Sequence, residues 1–154
     1  KFIVAVNNDE FITPDEWVHS CHPDPGSDLL LQMDIEGYEY ESILSMTERL
    51  IRRFRIIVVE FHSVHLWWSR PFFDLGSRAI RKLLQTHRVV HIHPNNIGSV
   101  IVRHGIALPE LPEITFLRRD RIREEKRIPG LPHPLDISNT GGPQIVLPPY
   151  WYRD

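Results

Sequence analysis

At 154 residues, with 42% hydrophobic and 25% charged side chains, the chain has the size and balance of one folded domain, which excludes wholesale disorder. A formal net charge of -2 excludes a general polyanion-binding surface, so no nucleic-acid partner is expected. No apolar run reaches the roughly 20 residues of a bilayer-spanning helix, so no membrane partner is expected. The single cysteine, Cys21, rules out an internal disulfide and suits a reducing cytoplasm, the expected location.

In chain order, residues 2–6 (FIVAV) are expected to form a strand; the chain opens at Lys1 inside it, as a piece of a longer protein would. Thr13-Pro14-Asp15-Glu16-Trp17 carries a helix start: a capping hydroxyl, proline at the first position and acids in the first turn. His22-Pro23-Asp24-Pro25-Gly26-Ser27 reads as a loop. His19-Ser20-Cys21-His22 has no second ligand pair and reads as a loop with one buried thiol, not a metal site. Residues 29–35 are nearly continuous in apolar character, the pattern of a strand covered on both faces.

Gly37 turns the chain into a helix with the stripe Tyr40, Ile43, Leu44, Thr47, Leu50, Ile51 and Phe54. Glu39 and Glu41 lie in its first turn and Arg49, Arg52 and Arg53 near its end, as the macrodipole favours. Residues 55–62 read as a second buried strand. Pro71 opens a helix with the stripe Phe72, Leu75, Ala79, Ile80, Leu83 and Leu84, and residues 88–93 form a third strand. Strand–helix–strand–helix–strand with crossovers of this length predicts parallel pairing in a layered α/β sheet.

Beyond Pro94, residues 99–103 and 113–119 are strand-like, joined by a loop ending in Pro109-Glu110-Leu111-Pro112. Residues 113–119 are expected to return antiparallel beside the third strand. Residues 117–127 are a mixed charge run, read as a solvated strand end or short helix. Dense proline in residues 129–154 forbids regular helix or central strand. Its apolar residues, among them Leu131, Leu135, Leu147 and Trp151, predict an extension packed on a domain spanning 1–128.

Three apolar runs end in polar residues at i and i+2: Asp34 and Glu36, Glu60 and His62, His91 and His93. Such pairs point one way on a strand. Parallel strands would gather all six along one sheet edge, where open α/β folds bind ligands.

The same stretches resemble the FkbM-type S-adenosylmethionine-dependent methyltransferases. The resemblance rests on Leu30-Leu31-Gln32-Met33-Asp34-Ile35-Glu36-Gly37-Tyr38-Glu39, Val58-Val59-Glu60-Phe61-His62, His91-Ile92-His93-Pro94-Asn95-Asn96 and Leu111-Pro112-Glu113-Ile114-Thr115-Phe116-Leu117-Arg118-Arg119. These are four motifs in the family's order, over residues 12–119. The tail LPHPLDISNTGGPQIVLPPYW is similar to extensions of some members. The resemblance implies a Rossmann-like methyltransferase sheet, mainly parallel with an antiparallel C-terminal return. It further implies methyl transfer from S-adenosylmethionine to a hydroxyl on a sugar or other small molecule. The family's glycine-rich turn after the first strand and acid ending the second find no match, since Asn7-Asn8-Asp9 follows the opening strand. The sheet is therefore expected to be incomplete, the second half of such a domain without its cofactor grip. A sheet edge left bare in this way could support homo-oligomers.

Within that resemblance Asp34 is expected in the crevice, positioning the acceptor or a base. Glu36 either joins it or caps the helix at Gly37. Glu60 follows four apolar residues and would be costly to bury unpaired, which favours catalysis, and His62 is the candidate proton acceptor. His91 and His93, with Asn95 and Asn96, form an expected substrate-facing rim, and Glu113 is expected to pair with one of the histidines. Two alternatives stand beside this reading. Asp, Glu and His converging on one edge also describe a site for a divalent metal, Mg, Mn, Zn or Fe. A non-catalytic sugar- or partner-binding module would instead stack its ligand on Trp67-Trp68 or Tyr150-Trp151-Tyr152, which otherwise serve as packing anchors.

Overall fold

A computed structural model describes residues 2–3, 5, 8, 10–126 and 128–153. The chain begins with a two-residue parallel ladder of β1 (Phe2–Ile3) and β2 (Phe11–Ile12). The rest of the strand expected over 2–6 includes Val4 and Val6, which lie outside the described residues. Helix α1 (Pro14–Cys21) starts where the sequence signals it, with the Thr13 hydroxyl accepting the Glu16 amide. Cys21 is exposed, not buried, because α1 turns only Pro14 and Val18 into the core.

The main sheet holds β3 (Leu29–Met33), β4 (Phe54–Glu60), β5 (His87–Pro94) and β8 (Pro112–Arg118) in the order β3-β4-β8-β5. β3 and β4 are parallel, and β8 runs antiparallel to both β4 and β5. The three polar-tipped strands thus point the same way, with the antiparallel return inserted between the second and third. The sheet is mixed, and its parallel character is confined to β3 and β4.

Two elements differ from expectation for local reasons. The helix read from Gly37 to Phe54 divides into α2 (Glu39–Ser45) and α3 (Glu48–Ile51). Thr47 is extended and its hydroxyl accepts the Leu50 amide, so it acts as an N-cap inside the apolar stripe, while Phe54 opens β4. The loop expected before Pro109 contains a strand. β6 (Val100–Arg103) and β7 (Ile106–Pro109) form a hairpin. His104 and Gly105, at φ 50° and 78°, make the two-residue turn whose twist suits antiparallel strands.

Register decides which sheet face is covered. Leu31, Met33, Ile57, Val59, Ile114 and Phe116 align on one face and share a buried core with Tyr40 and Ile43 of α2 and with Ala79 and Leu83 of α4 (Arg70–Leu84). The alternate residues face away from this core, and Leu30 is 64% exposed. The coverage of β3 on both faces expected from its apolar run is therefore not met: among the described residues, helices pack on one side only. The Pro-rich segment contributes Leu131 and Leu147 to the core, whereas Leu135 is exposed. The charge run is tied down by Arg118 and Arg121, both bridged to Asp28 at 2.7 Å. Among the described residues no helix is long and apolar enough to cross a membrane.

Candidate functional site

The turn from β3 into α2 builds the first cluster. Glu36 and Gly37 both take left-handed backbone, φ 57° and 102°, a conformation uncommon for a non-glycine residue. This reversal brings Glu39, the first residue of α2, back over the turn. Its Oε1 accepts the amides of Ile35 (3.1 Å) and Gly37 (3.0 Å). No side chain caps α2, so the capping role considered for Glu36 is not taken up; Glu39 ties down the turn that precedes the helix instead.

Glu39 is 0% exposed, and a carboxylate so buried needs partners. Its third is His62, whose Nδ1 lies 3.0 Å from the same oxygen. The acceptor is a carboxylate oxygen, so Nδ1 carries the proton and donates. Next along the helix, the Tyr40 hydroxyl donates to the His62 carbonyl at 2.8 Å. One turn of α2 thus holds both the ring and the backbone of His62. Burial pushes the Tyr40 phenol far up, so it stays a donor.

With Nδ1 engaged, Nε2 faces outward. Glu36 Oε2 stands 3.4 Å from it and Asp34 Oδ1 3.8 Å. Asp34 is half exposed and Glu36 is 87% exposed. The sequence is a buried acid, an oriented imidazole and an open side carrying two carboxylates. Such an imidazole can take a proton at Nε2 while its other nitrogen is fixed.

The second cluster occupies the last row of the sheet's less covered face. Glu60, Glu113 and His93 are register partners across β4, β8 and β5. The Asn95 amide donates to Glu60 Oε1 at 2.7 Å. Burial pushes the Glu60 carboxyl above its ordinary value, and the charges of Asp34 and Glu113 push the same way. Glu60 therefore lies between the two clusters and feels both.

The carboxylate at the histidines is Asp136 of the Pro-rich segment, not Glu113. Its Oδ1 lies 2.9 Å from His91 Nε2 and its Oδ2 3.6 Å from His93 Nδ1. Glu60, His91, His93, Asn95, Glu113 and Asp136 line an open hollow of about 320 Å³. Asp34, Glu36 and His62 lie beside this hollow without lining it. Asn96 turns to the tail instead, its carbonyl accepting the Thr140 amide at 3.0 Å and its NH2 donating to the Gly142 carbonyl at 3.2 Å. Of the aromatic residues, Trp67, Trp151 and Tyr152 lie against the core, the Trp151 indole donates to the Ala107 carbonyl, and Tyr150 is half exposed.

Two residues of these clusters escaped the strand-end pattern. Glu39 lies inside the motif-bearing turn, but its charge also suits the start of any helix. Asp136 sits in irregular chain, where no periodicity marks which way a side chain points. Against known families, residues 18–98, just over half the chain, match the model described as Methyltransferase FkbM domain. No curated protein and no solved structure matches.

Proposed function

The chain belongs to the FkbM methyltransferase family, and from that premise we propose that it carries the acceptor side of a methyl transfer from S-adenosylmethionine to a hydroxyl on a sugar or other small molecule. The bound cofactor would supply an electrophilic methyl group. The residues described here do not fit a cradle for it: among them no glycine-rich turn follows a strand, and the Ile35 and Gly37 amides at the Glu36-Gly37 turn are already taken by the Glu39 carboxylate.

What the chain's own residues offer is proton handling. A hydroxyl that accepts a methyl group must lose its proton, and a positioned base typically contributes about 10²–10⁴-fold to rate. His62 Nε2 is that base in this reading. Glu39 keeps the proton on Nδ1 and fixes the ring, and Asp34 and Glu36 face the nitrogen that becomes protonated. Glu60 and Asn95 border the adjoining hollow as acceptor-positioning groups, with His91, His93 and Glu113 on its rim. The same reading takes residues 1–128 as the second half of the catalytic domain and 129–154 as its extension.

The observation that carries the proposal is the clamping of His62 between a fully buried carboxylate and two solvent-facing ones. It is tested by transfer of labelled methyl groups to a panel of monosaccharides and phenols by the full-length protein. His62→Gln should lower turnover at least about 100-fold with the melting temperature kept. Wild-type turnover in that variant would remove His62 from the reaction.

A further inference from the structure

We propose that His91, His93 and Asp136 form a binding site for a divalent cation of the zinc class, which would clasp the Pro-rich segment to the edge of the sheet. This inference does not depend on the methyl-transfer reading. His91 and His93 are two apart on β5 and present their rings on one side. Asp136 arrives from the tail and spans them, with Oδ1 2.9 Å from His91 Nε2 and Oδ2 3.6 Å from His93 Nδ1. One ligand atom from each residue lies within 4.8 Å of the others. Ligands about 2.0–2.2 Å from a shared tetrahedral zinc ion stand roughly 3.3–3.6 Å apart, so small side-chain shifts bring the three residues into a coordination shell.

The protonation pattern at His93 points to a cation. Its Nε2 lies 3.2 Å from Asn139 Oδ1, an acceptor, so Nε2 carries a hydrogen and donates. In the neutral ring Nδ1 then presents a lone pair towards the Asp136 carboxylate. That nitrogen is buried and has no hydrogen-bond partner. Two electron-rich groups facing each other this closely are reconciled by a positive charge between them, and a metal ion supplies it. A ring nitrogen anchored on an amide oxygen while the other faces the ion is the usual outer support of a ligating histidine.

Asp136 is itself positioned, because its Oδ2 accepts the His133 amide at 2.7 Å. Two imidazoles with one carboxylate favour zinc-like ions over Mg²⁺ or Ca²⁺, which prefer oxygen. Three protein ligands beside an open hollow leave a coordination position for water or a small anion. A second trio, Asp34, Glu39 and His62, is similarly close. Its Glu39 Oε1 already accepts two amides and the His62 N–H, whereas the buried Oε2 has no partner, so the His62→Ala variant distinguishes the two trios.

The test is cobalt titration of the chelator-stripped, full-length protein, read by visible absorption, followed by displacement with zinc in a calorimeter. The expected result is one saturating Co²⁺ per chain, displaced by Zn²⁺. Binding should weaken at least about tenfold in His93→Ala and in Asp136→Asn, which retains the His133 contact, and persist in His62→Ala. Circular dichroism of each variant verifies that it is folded. Absence of saturable binding below millimolar metal would overturn the proposal. So would binding that survives both His93→Ala and Asp136→Asn, or that vanishes only in His62→Ala.

Discussion

His62 Nδ1 lies 3.0 Å from Oε1 of Glu39, a carboxylate closed off from solvent. The two residues are 23 apart in sequence, one at the start of α2 and the other just beyond β4. Parallel pairing of β3 with β4 brings the ends of those strands side by side, and the left-handed turn at Glu36 and Gly37 completes the approach. The contact holds one tautomer of His62 and leaves Nε2 facing Asp34 and Glu36.

Replacing the buried acid should therefore cost rate more than binding. In Glu39→Gln the amide oxygen can still accept the Ile35 and Gly37 amides, but the charge that fixes the His62 proton is gone. We expect kcat for methyl transfer to fall about 100-fold or more with the acceptor KM little changed. Steady-state kinetics on the full-length protein measures both.

Tyr40 holds the same histidine by its backbone, which separates scaffold from chemistry. Tyr40→Phe removes one hydrogen bond and leaves the His62 carbonyl without its donor. The expected loss is about 0.5–1.5 kcal/mol of stability by urea denaturation, with a smaller rate effect than Glu39→Gln.

Glu60 makes stability depend on pH. Its folded pKa is raised above the ordinary 4.5, mainly by burial. The native state thus holds the proton more tightly than the unfolded chain. The contribution of Glu60 to stability is full below pH 4.5 and is lost as pH rises through its folded pKa. Glu60→Gln cannot ionise and should escape this loss. Its melting temperature should exceed wild type at pH 7–8, and the gap should close on approach to pH 4.

Gly76, inside α4, is required by contact. An added Cβ would sit 2.6–2.9 Å from three atoms of the Trp67 indole ring. Gly76→Ala must displace that ring from the core, despite alanine's better helix propensity. We expect a net cost of about 1–3 kcal/mol, read from thermal melts.

The sequence showed the three polar-tipped strands and their antiparallel return because each apolar run ends at a polar pair. It did not show that β8 sits between β4 and β5, since strand order depends on which face and edge remain free after the helices pack. Thr47 falls within an apolar helical stripe, although a threonine followed by Glu48 and, two further on, Leu50 also suits a cap. Proline at 109 suggests loop and hides the His104-Gly105 turn; in the structure Pro109 simply ends its strand opposite Val100. At the site, i and i+2 placement foretold how Asp34, Glu60, His91 and His93 lie near one edge. Asp136 could not be found that way. Its position follows from the path of a proline-rich segment, fixed by contacts such as Asn96 with Thr140 and Gly142 and not by local periodicity.

The most direct test of the central claim is a double-mutant cycle on methyl transfer in the full-length protein, with Glu39→Gln, His62→Gln and the pair together. If Glu39 acts only by holding His62, the double variant should be no slower than His62→Gln alone. Multiplying losses, or full activity without His62, would contradict it.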